Sequence, residues 1–131
     1  MRAKLATIFV LLSLTKGVLA ATHYVDLSSA NPTPPYTNWA TAATVIQDAV
    51  DAAASGDEVV VTNGIYATGG CAVGTNLLAN RVAVNKPLTL RSVNGPQVTT
   101  IEGSSAGGYT NTSANLRCVY LADGAVLNKA T

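Results

Sequence analysis

Histidine, cysteine and charge are all scarce in this chain, and each scarcity closes off a class of chemistry. There is one histidine, His23, and there are two cysteines, Cys71 and Cys118, in 131 residues. Their spacing fits no zinc or haem pattern, so no metal ligands or cofactor-binding residues are expected. Charged residues make up 11% of the chain, with no basic run or stripe, which excludes nucleic acid as a partner. Aromatic residues are only 5%, including a single tryptophan, Trp39. A core must therefore come from Val, Ile, Leu and Ala. No glycine-rich phosphate loop and no nucleophile elbow is present.

A long apolar run is also missing. Residues 5–14 are an almost unbroken apolar run, but Thr15, Lys16 and Gly17 end it well short of the roughly 20 residues a membrane-spanning helix needs. Arg2 and Lys4 precede it, and Val18-Leu19-Ala20 follows it with residues a signal peptidase accepts. That order predicts a secretory signal over residues 1–20, cleaved after Ala20, and an exported protein, secreted or held at the cell surface. Its removal takes away Arg2, Lys4 and Lys16, leaving five basic and seven acidic residues and no transmembrane span. In an oxidising compartment Cys71 and Cys118 could either form a disulfide or remain two buried thiols, since sequence does not supply the geometry a bridge demands.

What is present is β-rich. A short alternating strand, His23-Tyr24-Val25-Asp26-Leu27, is followed by a proline-rich stretch over residues 28–38 that excludes helix. Ile46, Ala49, Val50 and Ala53 then recur at helical spacing as one apolar face, with Gln47, Asp48 and Asp51 opposite, Thr41 or Asn38 as N-cap, and Ser55-Gly56 at the end. Strands are expected over residues 58–62, 65–66, 81–84, 88–92, 98–102 and 117–122, separated by Asn63-Gly64, Asn85-Lys86-Pro87, Asn94-Gly95-Pro96 and Asp123-Gly124. Val59-Val60-Val61, Leu88-Thr89-Leu90 and Val119-Tyr120-Leu121 sit roughly 30 residues apart, a period that suggests a solenoid. A small β-sandwich built from hairpins is the competing architecture.

Ile46-Gln47-Asp48-Ala49-Val50-Asp51-Ala52-Ala53, with Gly56-Asp57-Glu58-Val59-Val60-Val61 and Gly64-Ile65-Tyr66, resembles the opening of the pectate-lyase-like superfamily. Lys86-Pro87-Leu88-Thr89-Leu90-Arg91-Ser92 and Thr100-Ile101-Glu102-Gly103 resemble its next coil. The resemblance covers most of residues 22–127 and is specific for fold rather than activity. It implies an all-β fold, a right-handed parallel β-helix. Residues 21–57 would supply a first strand, a loop and an amphipathic helix capping the solenoid end, and residues 58–131 the first coils, truncated at the C-terminal end. The open end would permit self-association. The inward stack would hold Val59, Val61, Ile65, Val82, Val84, Leu88, Leu90, Ile101, Val119 and Leu121.

Function is expected to be structural or binding, through polysaccharide or cell-surface contact, with no catalytic residue in this segment. The alternative is the N-terminal piece of a polysaccharide lyase or glycoside hydrolase whose catalytic coils lie elsewhere. Asp57 and Glu58 are the adjacent acidic pair, but strand neighbours point to opposite faces and cannot easily share one substrate. Asp48 and Asp51 are expected in solvent, and His23 at the surface. Arg81, Arg91 and Arg117 could form an exposed basic ladder for an acidic polysaccharide, but such residues more often only keep a sheet face soluble and discourage edge pairing. Tyr36 and Trp39 are expected to pack under the cap. Asn111-Thr112-Ser113 fits a glycosylation sequon, relevant in a eukaryotic host.

Overall fold

A computed structural model describes residues 19–75, 78–105 and 115–128. The signal segment up to residue 18 and the Asn111-Thr112-Ser113 sequon lie outside the described residues. The described chain is predominantly β, with short strands, one α-helix and one 3₁₀ turn. The strands are β1 (Thr22–Val25), β2 (Glu58–Val61), β3 (Gly64–Tyr66), β4 (Cys71–Ala72), β5 (Ala79–Val84), β6 (Thr89–Ser92), β7 (Thr99–Ile101), β8 (Leu116–Leu121) and β9 (Val126–Asn128). The helix α1 covers Ile46–Ala52, and the 3₁₀ turn covers Trp39–Thr41.

The strands form three sheets. Sheet A has the order β1-β2-β6-β9 and is parallel throughout; sheet B pairs β3 with β7 in parallel. In sheet C, β5 is parallel to β8 and antiparallel to the two-residue β4. From β2 the chain enters A, B and C, then A, B and C again, and returns to A. Strands about one such circuit apart therefore lie side by side. Adjacent strands in sequence do not hairpin, except at β4 and β5, so the sandwich alternative has no support in the pairing.

Register follows the period-2 alternation of side chains. His23, Val59, Leu90 and Leu127 occupy one row across sheet A. The first three are buried, as are Val25 and Val61 in the next inward row. In sheet C, Val82 and Val84 are buried opposite Val119 and Leu121. Burying a Val or Leu side chain contributes about 1.5–3 kcal/mol, so these short rows, rather than any long element, hold the fold together.

One residue of the expected inward stack faces out: Ile65 is 62% exposed, whereas Tyr66 is buried. Leu121 shares the inward row of buried Val84 but is 41% exposed, because β8 is the edge strand of sheet C among the described residues. In a three-residue strand, putting Tyr66 inside puts its neighbour outside. Tyr66 can be inside because its hydroxyl donates to the Thr62 carbonyl at 3.1 Å and lies 3.1 Å from the Thr62 Oγ1.

Helix α1 packs against β1, β2 and β5. Ile46, Ala49 and Val50 are buried on it, and Ala53 is buried as its C-cap. The N-cap is Val45, which makes no side-chain cap, not Thr41 or Asn38. Asn38 instead caps the 3₁₀ turn, accepting from the Thr41 amide at 3.1 Å, because the chain makes that extra turn before the helix starts. Gly56, at φ 93°, sits beyond the helix end in the turn into β2, and its amide donates to the Pro87 carbonyl at 2.7 Å. Lys86 Nζ reaches the last helical carbonyls, those of Val50 at 3.0 Å and Ala53 at 2.7 Å, matching the negative end of the helix dipole.

Gln47 belongs to the buried face, against the expectation that it points to solvent. It is 6% exposed; its Oε1 accepts from the Ala83 amide at 2.7 Å and its Nε2 donates to the Ala83 carbonyl at 3.3 Å. Both backbone groups of one residue point the same way in a strand. The Gln47 side-chain amide thus stands where the peptide of a neighbouring strand would be, and it closes part of the edge of β5. The outer edge of β1 is closed differently, by Tyr24 and Asp26 amides donating to the Tyr36 and Ala43 carbonyls and by the Ala43 amide donating to the Tyr24 carbonyl.

Candidate functional site

Two clusters of polar and aromatic side chains stand out on this frame, one buried and one exposed. The buried cluster joins the first strand to the turn before β2. Asp57 is 6% exposed and His23 3%. His23 Nε2 lies 3.0 Å from Asp57 Oδ2, and His23 Nδ1 lies 2.6 Å from the Pro35 carbonyl. Asp57 also accepts from the backbone amides of Ala21 and Ala54, each at 2.8 Å. The ring thus sits between two acceptors, a backbone carbonyl and a carboxylate. The hydrogen bond from His23, joined by those from Ala21 and Ala54, holds the Asp57 carboxyl below its ordinary value against the opposing effect of burial.

His23 is therefore not a surface residue. The alternation that places Val25 inside places His23 inside as well, and Asp57 is the partner that makes this tolerable. Among the described residues no serine or cysteine side chain is bonded to the pair, and both carboxylate oxygens of Asp57 are occupied. The cluster ties chain segments together.

The exposed cluster lies on the outward face of sheet A. There Tyr24, Val60, Arg91 and Asn128 form one row, with Thr22, Glu58, Thr89 and Val126 in the next. The 3₁₀ turn brings Trp39 onto Tyr24, with ring centroids 4.4 Å apart and planes tilted by 55°. Trp39 stays 43% exposed, so it does not pack under the cap; Tyr36 does enter the core. Burial and the charge of Asp48 raise the Tyr36 hydroxyl above its ordinary value. Two strands across from Tyr24, Arg91 holds Glu58 in a two-point pair, Nε–Oε1 at 2.6 Å and Nη2–Oε2 at 3.2 Å. That contact, ahead of the cost of burial, raises the guanidinium above its ordinary value. Val60, in register between Tyr24 and Arg91, is buried.

An exposed arginine ladder does not form. Arg81 is buried, donating through Nε to the Glu102 carbonyl at 2.6 Å and through Nη1 to the Gly69 carbonyl. Arg91 is neutralised by Glu58, and Arg117 alone of the three is exposed. The split follows from burial along β5, where Asn80, Arg81, Val82 and Ala83 are all buried, so that neither face of the strand is open at Arg81. Asp57 and Glu58 part company as strand neighbours do, one inward to His23 and the other outward to Arg91. Asp48 and Asp51 are exposed, and Asp51 accepts from Gln47 at 2.7 Å.

Cys71 and Cys118 are free thiols, the first partly buried and the second exposed. β5 runs between their strands, so their backbones are two strand spacings apart, about 9–10 Å, beyond disulfide reach. Cys118 lines an apolar cavity of about 240 Å³ with Val61, Leu90, Ile101, Val119 and Leu127. Among the described residues no group of three or more His, Cys, Asp or Glu is placed to hold a metal ion. No helix among them is long and apolar enough to cross a membrane. No family model, curated protein or solved structure matches this chain.

Proposed function

We propose that this chain forms coils of a right-handed parallel β-helix of the pectate-lyase-like kind, exported to the cell surface or medium, and that it binds polysaccharide on the outward face of sheet A. Three features support the fold. The chain visits sheets A, B and C in a repeating cycle, its sheet pairings are parallel apart from the short β4, and α1 lies against β1 and β2 of sheet A and β5 of sheet C. Crossover connections between parallel strands are right-handed in nearly all proteins, which gives the handedness.

The observation that carries the binding reading is the Tyr24–Trp39 pair. The only tryptophan of the chain is nearly half exposed in the 3₁₀ turn beside sheet A, its ring tilted against a tyrosine instead of buried in a core short of aromatic residues. A large aromatic ring left in water beside polar groups is the kind of surface that meets the apolar faces of sugar rings. The Arg91–Glu58 pair nearby offers donors and acceptors while cancelling in charge. That balance favours a neutral polysaccharide over an acidic one. The protein's role in this reading is attachment or presentation, without catalysis in these residues.

Because Trp39 is the sole tryptophan, its fluorescence reports on the site directly. Titration with hydroxyethyl cellulose should shift or quench the emission, and Trp39→Ala should abolish retention on the immobilised polymer without changing the melting temperature. A shift obtained only with polygalacturonate would move the reading to an acidic ligand. No change with either polymer would refute it.

A further inference from the structure

We propose that Asp57 is the docking site for the chain's own α-ammonium group, created at Ala21 when the export signal is removed after Ala20. The proposal rests on the exported reading above and adds to it a site for the new terminus. Hydrolysis of the Ala20–Ala21 peptide bond consumes one water molecule. The Ala20 carbonyl carbon takes the hydroxyl and leaves as a carboxylate with the signal. The Ala21 nitrogen takes the protons and becomes an ammonium.

The Ala21 nitrogen already lies 2.8 Å from Asp57 Oδ1. Its position does not depend on the residues before it. The Ala21 carbonyl accepts from the Glu58 amide at 2.9 Å, and Thr22 continues in register opposite Glu58. Leu19 and Ala20 are exposed, Leu19 at 90%, so no packing contact of theirs sets where Ala21 sits. The other Asp57 oxygen is taken by His23 and the Ala54 amide. Among the described residues, Oδ1 is bonded by the Ala21 nitrogen alone. Cleavage converts that neutral hydrogen bond into a charge-assisted one at a carboxylate that is 6% exposed, and such bonds are about twice as strong as neutral ones. The fold of the exported chain would thus be tied at its first residue by a charge-assisted contact, which one extra residue at the N-terminus would turn back into the neutral hydrogen bond.

The test uses the exported chain as it is secreted. Its intact mass gives the first residue. Its α-amine is then labelled with limiting acetic anhydride at neutral pH, folded and in urea, and the acetylated terminal peptide is quantified. A nearby carboxylate favours the protonated, unreactive amine, so labelling of the folded chain should be at least about tenfold slower than in urea. In Asp57→Asn most of that protection should be lost; if this variant fails to fold, the urea comparison on the native chain still decides. A chain beginning at Ala21 whose amine labels equally fast folded and unfolded would overturn the docking proposal while leaving export intact. A chain retaining residues 1–20 would overturn the export reading and this proposal with it.

Discussion

His23 and Asp57, 34 positions apart, meet at 3.0 Å inside the molecule and join β1 to the turn that starts β2. The pair sets a pH dependence. Asp57 is held below the ordinary carboxylate range when folded, first by His23. Its stabilising contribution is complete above the unfolded value of about 4 and is lost as pH falls through the lower folded value. Melting temperature measured from neutral pH into acid should drop below about pH 4 more steeply in the parent than in Asp57→Asn. At neutral pH that variant should be about 1–3 kcal/mol less stable, because buried donors on His23, Ala21 and Ala54 lose a charged acceptor. Parallel acid profiles would show that the pair does not hold the fold.

Gln47 gives a second prediction. Replacing it by Ala leaves the Ala83 amide and carbonyl without partners, at a cost of about 2–3 kcal/mol. Gln47→Glu keeps an acceptor but loses both donations and faces Asp51, so it should not rescue. Urea unfolding measures the loss, and amide exchange at Ala83 should accelerate in both variants while exchange at Val25 follows global stability alone.

The apolar face of α1 packs against β1, β2 and β5, and a charge there should uncover them. Ile46→Asp or Val50→Asp places a carboxylate at a position 2% or less exposed. The loss should exceed about 3 kcal/mol, and the soluble fraction should fall as apolar surface is exposed. A variant as soluble and stable as the parent would show that α1 is not needed as a cover.

The thiols offer a simpler check. With β5 between Cys71 and Cys118, oxidation cannot bridge them within one folded molecule. Reductant should leave the melting temperature unchanged, and two thiols per chain should titrate with a small reagent. The exposed Cys118 should react first.

The sequence was most informative where periodicity was strong. The β-branched runs around Val59, Leu90 and Val119 lie in strands within two residues of their expected bounds, and Ile46, Ala49, Val50 and Ala53 are all buried together. It was least informative where a polar side chain has a distant partner. Nothing local marks His23 as internal, because Asp57 and the Pro35 carbonyl are supplied by other segments. Gln47 reads as surface until Ala83 is brought beside it, and Arg81 until the carbonyls of Gly69 and Glu102 surround it. Trp39 went the other way, since its size argues for burial while the 3₁₀ turn sets it outside against Tyr24. β4, two residues long within a glycine-rich stretch, has too few side chains to show alternation.

The central claim, strands from successive circuits lying parallel in register, is tested most directly by proton NMR across sheet A. Parallel pairing predicts contacts among the inward side chains of His23, Val59 and Leu90 in that order, and no close α-proton pairs between β2 and β6. Strong α-proton to α-proton contacts between β2 and β3, or between β2 and β6, would mean hairpins or antiparallel pairing and would contradict the account.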